Sequence, residues 1–175
     1  MVVFYVINFK DDARKQRMIS RFDQIGVDLH FVNPVSENDP RLQNTPLYRR
    51  TSSIMLQHLD SIRHFYENTS AKYCIVCEDD IHVSKHLHDH LPKIIQDFEA
   101  LGLDLLMMGY LYPYGLHGNP HFPLIKTTEN YTYHGYPDDT WGSQMYLISR
   151  NHAKSLLDKF TIEFAIQQLE IVHYN

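Results

Sequence analysis

The sequence predicts an α/β domain of three layers, in which helices cover both faces of a mostly parallel central sheet. Two observations support this fold class. Short apolar segments of strand type alternate along the chain with longer segments of helical periodicity. In addition, the strand predicted at residues 73–77 is apolar throughout, as expected for a strand that is buried on both faces. No internal repeat or second domain is evident, so residues 1–175 are predicted to form a single domain.

The first strand–helix–strand unit spans residues 2–32. Val2–Ile7 is an apolar run, and residues 13–25 place Met18 and Phe22 at helical spacing among basic residues. Asp11 or Asp12 can cap the start of this helix, and Gly26 can end it. A second short strand is predicted at residues 29–32. The connection between two parallel strands of this kind is expected to be right-handed.

A long polar segment, residues 33–50, follows this unit and contains three prolines. We interpret it as a loop, and long loops in compact domains are often functional. A helix is then predicted from Thr51 or Ser52, either of which can cap it, to about Tyr66.

The most informative stretch is the buried strand at residues 73–77, which leads directly into Glu78, Asp79 and Asp80. Adjacent carboxylates repel one another unless a positive charge lies among them, and their oxygens suit Mg²⁺ and Mn²⁺. Ligands of open α/β sheets bind beyond the carboxyl ends of the strands. The triplet therefore predicts a metal site, and the alternative is a solvated acidic turn in which an aspartate caps the next helix.

The remaining elements are predicted with less regular signals. A helix is expected at residues 86–101, with Pro92 marking a start near His90, followed by a buried strand at residues 104–109. Residues 110–136 are rich in Tyr, His, Pro and Gly and contain short strands around residues 124–126 and 130–133. A strand at residues 144–148 and a helix at residues 152–160, capped by Ser149 or Asn151, complete the pattern. Residues 161–175 are apolar enough to be ordered.

Composition restricts the class of protein. The formal net charge of −5 disfavours general nucleic-acid binding. No window approaches the roughly 20 apolar residues of a membrane-spanning helix, and the N-terminal residues do not resemble a signal peptide. The only cysteines, Cys74 and Cys77, lie on one predicted strand and would point to different faces, so we expect free thiols and a reducing, cytoplasmic location.

Several segments together resemble a known family. They are Tyr5-Val6-Ile7-Asn8-Phe9 with Arg14 and Arg17, Ser53-Ile54-Met55-Leu56-Gln57-His58, Ile75-Val76-Cys77-Glu78-Asp79-Asp80-Ile81, Asp104-Leu105-Leu106-Met107-Met108-Gly109 and Trp141-Gly142-Ser143-Gln144-Met145-Tyr146-Leu147-Ile148-Ser149-Arg150. Over about residues 2–160 the chain resembles the lipopolysaccharide-type glycosyltransferases of family twenty-five, which have the Rossmann-like GT-A fold. It is also similar to the compact glycosyltransferase domains of large algal viruses, for which the location would be the host cytoplasm. The family often has Gly-Cys-x-x-Ser-His at residues 53–58, where this chain shares only the histidine.

The resemblance implies transfer of a sugar from a nucleotide-sugar, expected to be a uridine diphosphate sugar, to a hydroxyl of a glycan acceptor. Mn²⁺ or Mg²⁺ would bind the diphosphate. Residues 1–109 would form the nucleotide-sugar-binding half and residues 110–175 the acceptor-side half.

The resemblance also implies roles for individual residues. Asp80 would bind the metal directly, Glu78 would hold the ribose or a metal-bound water, and Asp79 would orient the donor sugar. Asn8 and Phe9 would meet the nucleotide base. For Arg14 a contact with the nucleotide and a contact with a carboxylate on its own helix face remain open.

An inverting reaction requires a base that takes the proton of the acceptor hydroxyl. Asp139 and Asp138 precede Trp141 near the expected carboxyl edge of the sheet and are the candidates; the alternative is that they support a turn. Tyr136 and Trp141 could stack on a sugar or pack in the core. His86 and His90 have the spacing of a zinc site, but a solvated helix start explains them better.

Two other functions compete with the transferase. A phosphate-ester hydrolase could use Asp79 and Asp80 but would need further clustered ligands. A degenerate transferase that keeps the nucleotide pocket would be a binding module without transfer activity.

Overall fold

The computed structural model describes residues 1–43, 48–109, 119–135, 144–162 and 164. The strands in this part of the chain are β1 (Val2–Ile7), β2 (Leu29–His30), β3 (Tyr73–Glu78), β4 (Leu105–Met107), β5 (Leu124–Thr127), β6 (Thr132–His134) and β7 (Met145–Ser149). The α-helices are α1 (Asp12–Asp23), α2 (Arg49–Asn68), α3 (Leu87–Ala100) and α4 (Arg150–Lys159).

Five strands form the central sheet in the order β2-β1-β3-β7-β4. β1 is parallel to β2 and β3, whereas β7 is antiparallel to both of its neighbours, β3 and β4. Four strands therefore run in one direction and β7 runs in the other. The predicted α/β class is confirmed, with a mixed sheet that is parallel across β2, β1 and β3. Strands β5 and β6 form a separate antiparallel hairpin.

Helices pack on both faces of this sheet because its side chains alternate between them. On one face, Phe4 and Ile75 belong to the same buried cluster as Phe22 of α1 and Phe98 of α3. The opposite face is formed by alternate residues such as Tyr5, and it packs against α2 and α4. Cys77 lies in the first cluster and Cys74 in the second, and both are free thiols, as expected from their spacing. Burial raises the pKa of both thiols, which keeps them protonated.

The first helix follows its sequence signals. The Asp11 side chain accepts a hydrogen bond of 2.9 Å from the Arg14 backbone N–H and so caps α1. Gly26 adopts φ +68°, a conformation that favours glycine, in the turn that follows α1. The predicted strand at residues 29–32 is shorter than expected, because only Leu29 and His30 pair with β1.

Helix α2 begins before its predicted start. Its N-cap is Tyr48, which makes no capping hydrogen bond through its side chain, so the prediction of Thr51 or Ser52 as the cap was wrong. The hydroxyl of Ser52 instead donates to the Tyr48 carbonyl from inside the first turn. Burial of the apolar residues along α2 stabilises this helix without a side-chain cap.

The predicted boundaries of α3 and β4 also needed correction. Pro92 lies inside α3, so it does not mark the start of that helix. Strand β4 covers only Leu105–Met107 of the predicted residues 104–109. It is at the edge of the sheet, and Leu105 is 40% exposed, so the prediction of a buried strand was wrong. Ser149 caps α4 as predicted, since its hydroxyl accepts from the His152 backbone N–H at 3.1 Å.

The long segment before α2 is packed against that helix. Val35 and Leu42 are buried together with Leu56 and Leu59 of α2. The segment is also held by charge. The Arg41 guanidinium donates to Asp60 of α2 at 2.7 and 2.9 Å and to Asp39 at 2.9 and 3.1 Å. This bridge lowers the pKa of Asp39.

Within the described ranges, no helix combines the length and the apolar character that crossing a membrane requires.

Candidate functional site

The three predicted acids lie at the carboxyl end of β3. Glu78 is the last residue of the strand, and Asp79 and Asp80 form the turn that follows. Ile7 of the parallel strand β1 pairs with Glu78, so Asn8 leaves the sheet at the same edge. The topology therefore brings together two groups of predicted site residues that are about 70 positions apart in the sequence.

These residues line a pocket with a volume of about 490 Å³. Its wall combines charged, polar and apolar side chains from β1, α1, the loop before α2, α2 and the end of β3. In the described part of the chain, the lining residues are Ile7, Phe9, Asp11, Arg14, Glu37, Arg50, Ser53, Ile54, Gln57, Glu78, Asp79 and Asp80.

Asp79 is held by the side chains of Asn8 and Arg14. Its Oδ2 accepts a hydrogen bond of 2.6 Å from Asn8 Nδ2, and its Oδ1 accepts one of 3.1 Å from Arg14 Nη1. The Asp79 side chain is only 11% exposed. With both carboxylate oxygens engaged in this way, Asp79 has a fixed orientation in the pocket wall.

Arg14 is the cation of this acidic cluster. Besides Asp79, its guanidinium contacts Asp80 at 3.4 Å and Asp11 at 3.5 Å. The hydrogen bond to Asp79, followed by the charges of the three aspartates, raises the pKa of Arg14. The sequence left open whether Arg14 meets a nucleotide or a carboxylate, and in the structure it is paired with carboxylates.

Asn8 is buried and acts as a hydrogen-bonding centre. Its side-chain amide donates both to Asp79 and to the Asp11 carbonyl, the latter at 2.9 Å. The backbone carbonyl of Asn8 accepts a hydrogen bond of 2.9 Å from Gln57 Nε2. Phe9, by contrast, is 52% exposed and presents its ring at the pocket. Of the two residues predicted to meet a base, Phe9 is therefore exposed and Asn8 is buried.

Sequence reasoning missed part of the pocket wall. Gln57 was given no role, yet it is 1% exposed and holds Asn8 in place from α2. Arg50, Glu37, Ser53 and Ile54 also line the pocket and had not been selected. The available signal was the presence of polar residues, such as Ser53 and Gln57, on the buried face of an amphipathic helix, where an uncompensated polar group is costly.

His58, the one residue shared with the family pattern in this segment, is buried and is not among the described residues that line the pocket. Burial lowers its pKa to about 4, so the imidazole is neutral near pH 7. Its Nδ1 is hydrogen-bonded to the Tyr146 hydroxyl at 3.1 Å, and the two rings stack. Its Nε2 is buried and has no hydrogen-bond partner among the residues that the structure describes.

The carboxylates of the site are compatible with a hard divalent cation. Asp80 is 54% exposed in side chain, and Glu78 lines the same pocket. Mg²⁺ usually takes only one or two protein carboxylates, and water and phosphate oxygens complete its shell. In the described ranges, no three His, Cys, Asp or Glu side chains are grouped closely enough to hold a metal ion among themselves.

A second pocket, of about 330 Å³, lies between the end of β4, α3 and the β5–β6 hairpin. Its lining includes Phe122, Tyr131, Tyr133 and His134. The hairpin is anchored to α3 through Asp97, which accepts hydrogen bonds from Thr128 and Tyr133 at 2.6 and 3.0 Å. Because β7 separates β3 from β4, the carboxyl ends of those two strands are about 10 Å apart.

The proposed base candidates Asp138 and Asp139 lie outside the described residues, as do Tyr136 and Trp141.

Two comparisons with known proteins found no relationship. No protein-family model matches the chain, and no curated protein matches it either.

Proposed function

We propose that the protein is a metal-dependent glycosyltransferase of GT-A type, which transfers a sugar from a uridine diphosphate sugar to a hydroxyl of a glycan acceptor. The observation that carries this proposal is the pocket at the carboxyl ends of β1 and β3. It combines an acidic turn that includes the half-exposed Asp80, an exposed aromatic ring at Phe9, and a rigidly held Asp79. A nucleotide diphosphate joined to a sugar presents surfaces that complement each of these groups.

Different residues of this pocket would bind different parts of the donor. Asp80 and Glu78 would hold Mn²⁺ or Mg²⁺, which supplies positive charge to the diphosphate as it leaves. Phe9 would stack on the base. Asp79, held by Asn8 and Arg14, would orient the hydroxyl groups of the donor sugar by accepting their hydrogen bonds.

The acceptor would approach from the side of β4 and the hairpin. The second pocket has aromatic side chains that suit the apolar face of a sugar. It lies at the end of β4, a strand about 10 Å across the sheet from β3. Asp139 and Asp138 remain the proposed bases for an inverting reaction. The free buried thiols support a reducing compartment, so we propose that the protein acts in the cytoplasm, or in the host cytoplasm if it is viral.

Slow hydrolysis of nucleotide-sugars in the presence of Mn²⁺ tests this proposal directly. A panel of uridine diphosphate sugars is incubated with the wild-type protein, with Asp80→Asn and with Asp28→Asn, an exposed aspartate away from the pocket. We expect donor turnover in the wild type and in the Asp28 variant, and a loss of about 100-fold or more in Asp80→Asn. Metal-dependent nucleotide binding without turnover or transfer to any acceptor would instead identify a degenerate binding module.

A further inference from the structure

The pocket at the ends of β1 and β3 contains two arginines in different electrostatic situations. Arg14 is paired with Asp11, Asp79 and Asp80. Arg50 is exposed and lines the same pocket, but no hydrogen bond or ion pair joins its side chain to another residue of the described chain. The charge of Arg14 is thus already balanced by protein carboxylates, whereas that of Arg50 is not.

A nearby acid does not account for the position of Arg50. Glu37 lines the same pocket, yet the two side chains form no ion pair within the described structure. The backbone of Arg50 does have a side-chain partner, because the Arg50 carbonyl accepts a hydrogen bond of 2.8 Å from the Ser53 hydroxyl. The guanidinium is therefore available to a ligand in the pocket.

Helix stability does not account for Arg50 either. It lies in the first turn of α2, next to Arg49, and that turn contains no acidic residue and no side-chain cap. A positive charge at this end of a helix is unfavourable, because the helix dipole is positive there. Arg50 therefore does not stabilise α2, which favours an interaction with something outside the helix.

We propose that Arg50 binds the diphosphate of the ligand that occupies this pocket, from the wall formed by α2. The guanidinium offers two parallel N–H donors, which match the oxygens of a phosphate group. Its planar fork distinguishes it from a lysine, which would supply only a point charge. The acids of the β3 turn and Arg50 belong to different elements, so the diphosphate is held from two sides: through a cation at Asp80 and directly by Arg50.

This assignment rests on the proposed function, since it takes the ligand to be a nucleoside diphosphate. It adds a specificity: the pocket prefers a diphosphate to an uncharged nucleoside because Arg50 contacts the anionic part alone. The affinity for inorganic pyrophosphate should consequently depend on Arg50 as strongly as the affinity for the nucleotide does.

The chain provides a matched control for the experiment. Arg49 is in the same helical turn, is also exposed and does not line the pocket. Arg50→Gln and Arg49→Gln therefore remove the same charge from the same turn. Arg50→Lys keeps the charge but removes the planar fork.

Binding of uridine diphosphate and of inorganic pyrophosphate is measured by calorimetry in Mg²⁺. For Arg50→Gln we expect both dissociation constants to rise by about tenfold or more, as is typical when a hydrogen bond to a charged group is lost. Arg49→Gln should bind within about twofold of the wild type, and Arg50→Lys should lie between the two glutamine variants. The midpoint of thermal unfolding should not fall in Arg50→Gln, because the removed charge is unfavourable for α2.

Two results would overturn the assignment, and they are distinguishable. If the wild type binds uridine diphosphate and Arg50→Gln binds it as tightly as Arg49→Gln, Arg50 does not contact the phosphates and the proposed function stands. If the wild type binds neither probe, the proposed function and the role of Arg50 both fail.

Discussion

Asn8 Nδ2 donates a hydrogen bond of 2.6 Å to Asp79 Oδ2, across 71 positions of sequence. The contact exists because β1 and β3 are parallel neighbours whose carboxyl ends meet at one edge of the sheet. It links the two segments of the chain that carry most of the predicted site.

Replacing Asn8 by alanine should impair both folding and function. The change leaves one oxygen of the largely buried Asp79 without its donor, so we expect about 1–3 kcal/mol of destabilisation. The orientation of Asp79 would also be lost, and donor turnover should fall by about tenfold or more. Urea denaturation and donor hydrolysis measure the two effects. Asn38→Ala, an exposed asparagine in the loop before α2, is the control, and an equal loss of turnover in that variant would show that the Asn8 contact is not special.

Arg150 should be important for stability although it lies away from the pocket. Its guanidinium donates to four backbone carbonyls at the C-terminal end of α2: Phe65 at 3.4 Å, Ala71 at 3.1 Å, Tyr66 at 2.5 Å and Thr69 at 2.7 Å. These carbonyls lie at and just beyond the last turn of the helix, where carbonyls lack intrahelical partners.

Arg150→Ala is therefore expected to lower the free energy of unfolding by about 2–3 kcal/mol. Arg63→Ala is the matched control, since that arginine is 53% exposed and forms a surface ion pair of 3.8 Å with Glu67. Urea denaturation of both variants provides the comparison. Equal stabilities of the two variants would contradict a structural role for Arg150.

The buried His58 should make stability depend on pH between about 4 and 6.5. Burial lowers its folded-state pKa from 6.5 to about 4, so in this range the unfolded chain binds a proton that the folded chain does not. The contribution is complete above pH 6.5 and is lost as the pH falls towards 4, by about 3 kcal/mol in total.

The unfolding free energies of the wild type and of His58→Gln are measured across this pH range. The difference between them gives the contribution of His58 to stability. We expect the difference to shrink as the pH falls. His88→Asn, which replaces an exposed histidine, should retain the wild-type pH profile. A difference between the wild type and His58→Gln that is constant from pH 7 to pH 4 would show that His58 is not buried in its neutral form.

The sequence was sufficient for the α/β class and for the location of the acidic turn. The apolar run of β3 ends in Glu78, and the alternation that separates Cys74 from Cys77 is a local property of a strand. The cap at Ser149 was also predictable, because capping depends on residues close in sequence. In each case the signal and the structure lie within a few residues of each other.

The features that were missed depend on distant parts of the chain. The apolar run of β7 has the same pattern in either direction, so its antiparallel placement between β3 and β4 could not be read from it. The start of α2 at Arg49 has no side-chain cap to mark it. Gln57 can reach the Asn8 carbonyl only because α2 packs beside the end of β1. In the same way, Arg14 can reach Asp79 only because α1 packs beside the end of β3.

The central claim is that the acidic turn binds a divalent cation and that the cation binds a nucleotide diphosphate. Calorimetric titration of uridine diphosphate into the wild-type protein, with and without Mn²⁺, tests it most directly. We predict saturable binding that requires Mn²⁺ and that is lost in Asp80→Asn. Binding of equal strength with and without Mn²⁺, or no binding in either condition, would contradict the claim.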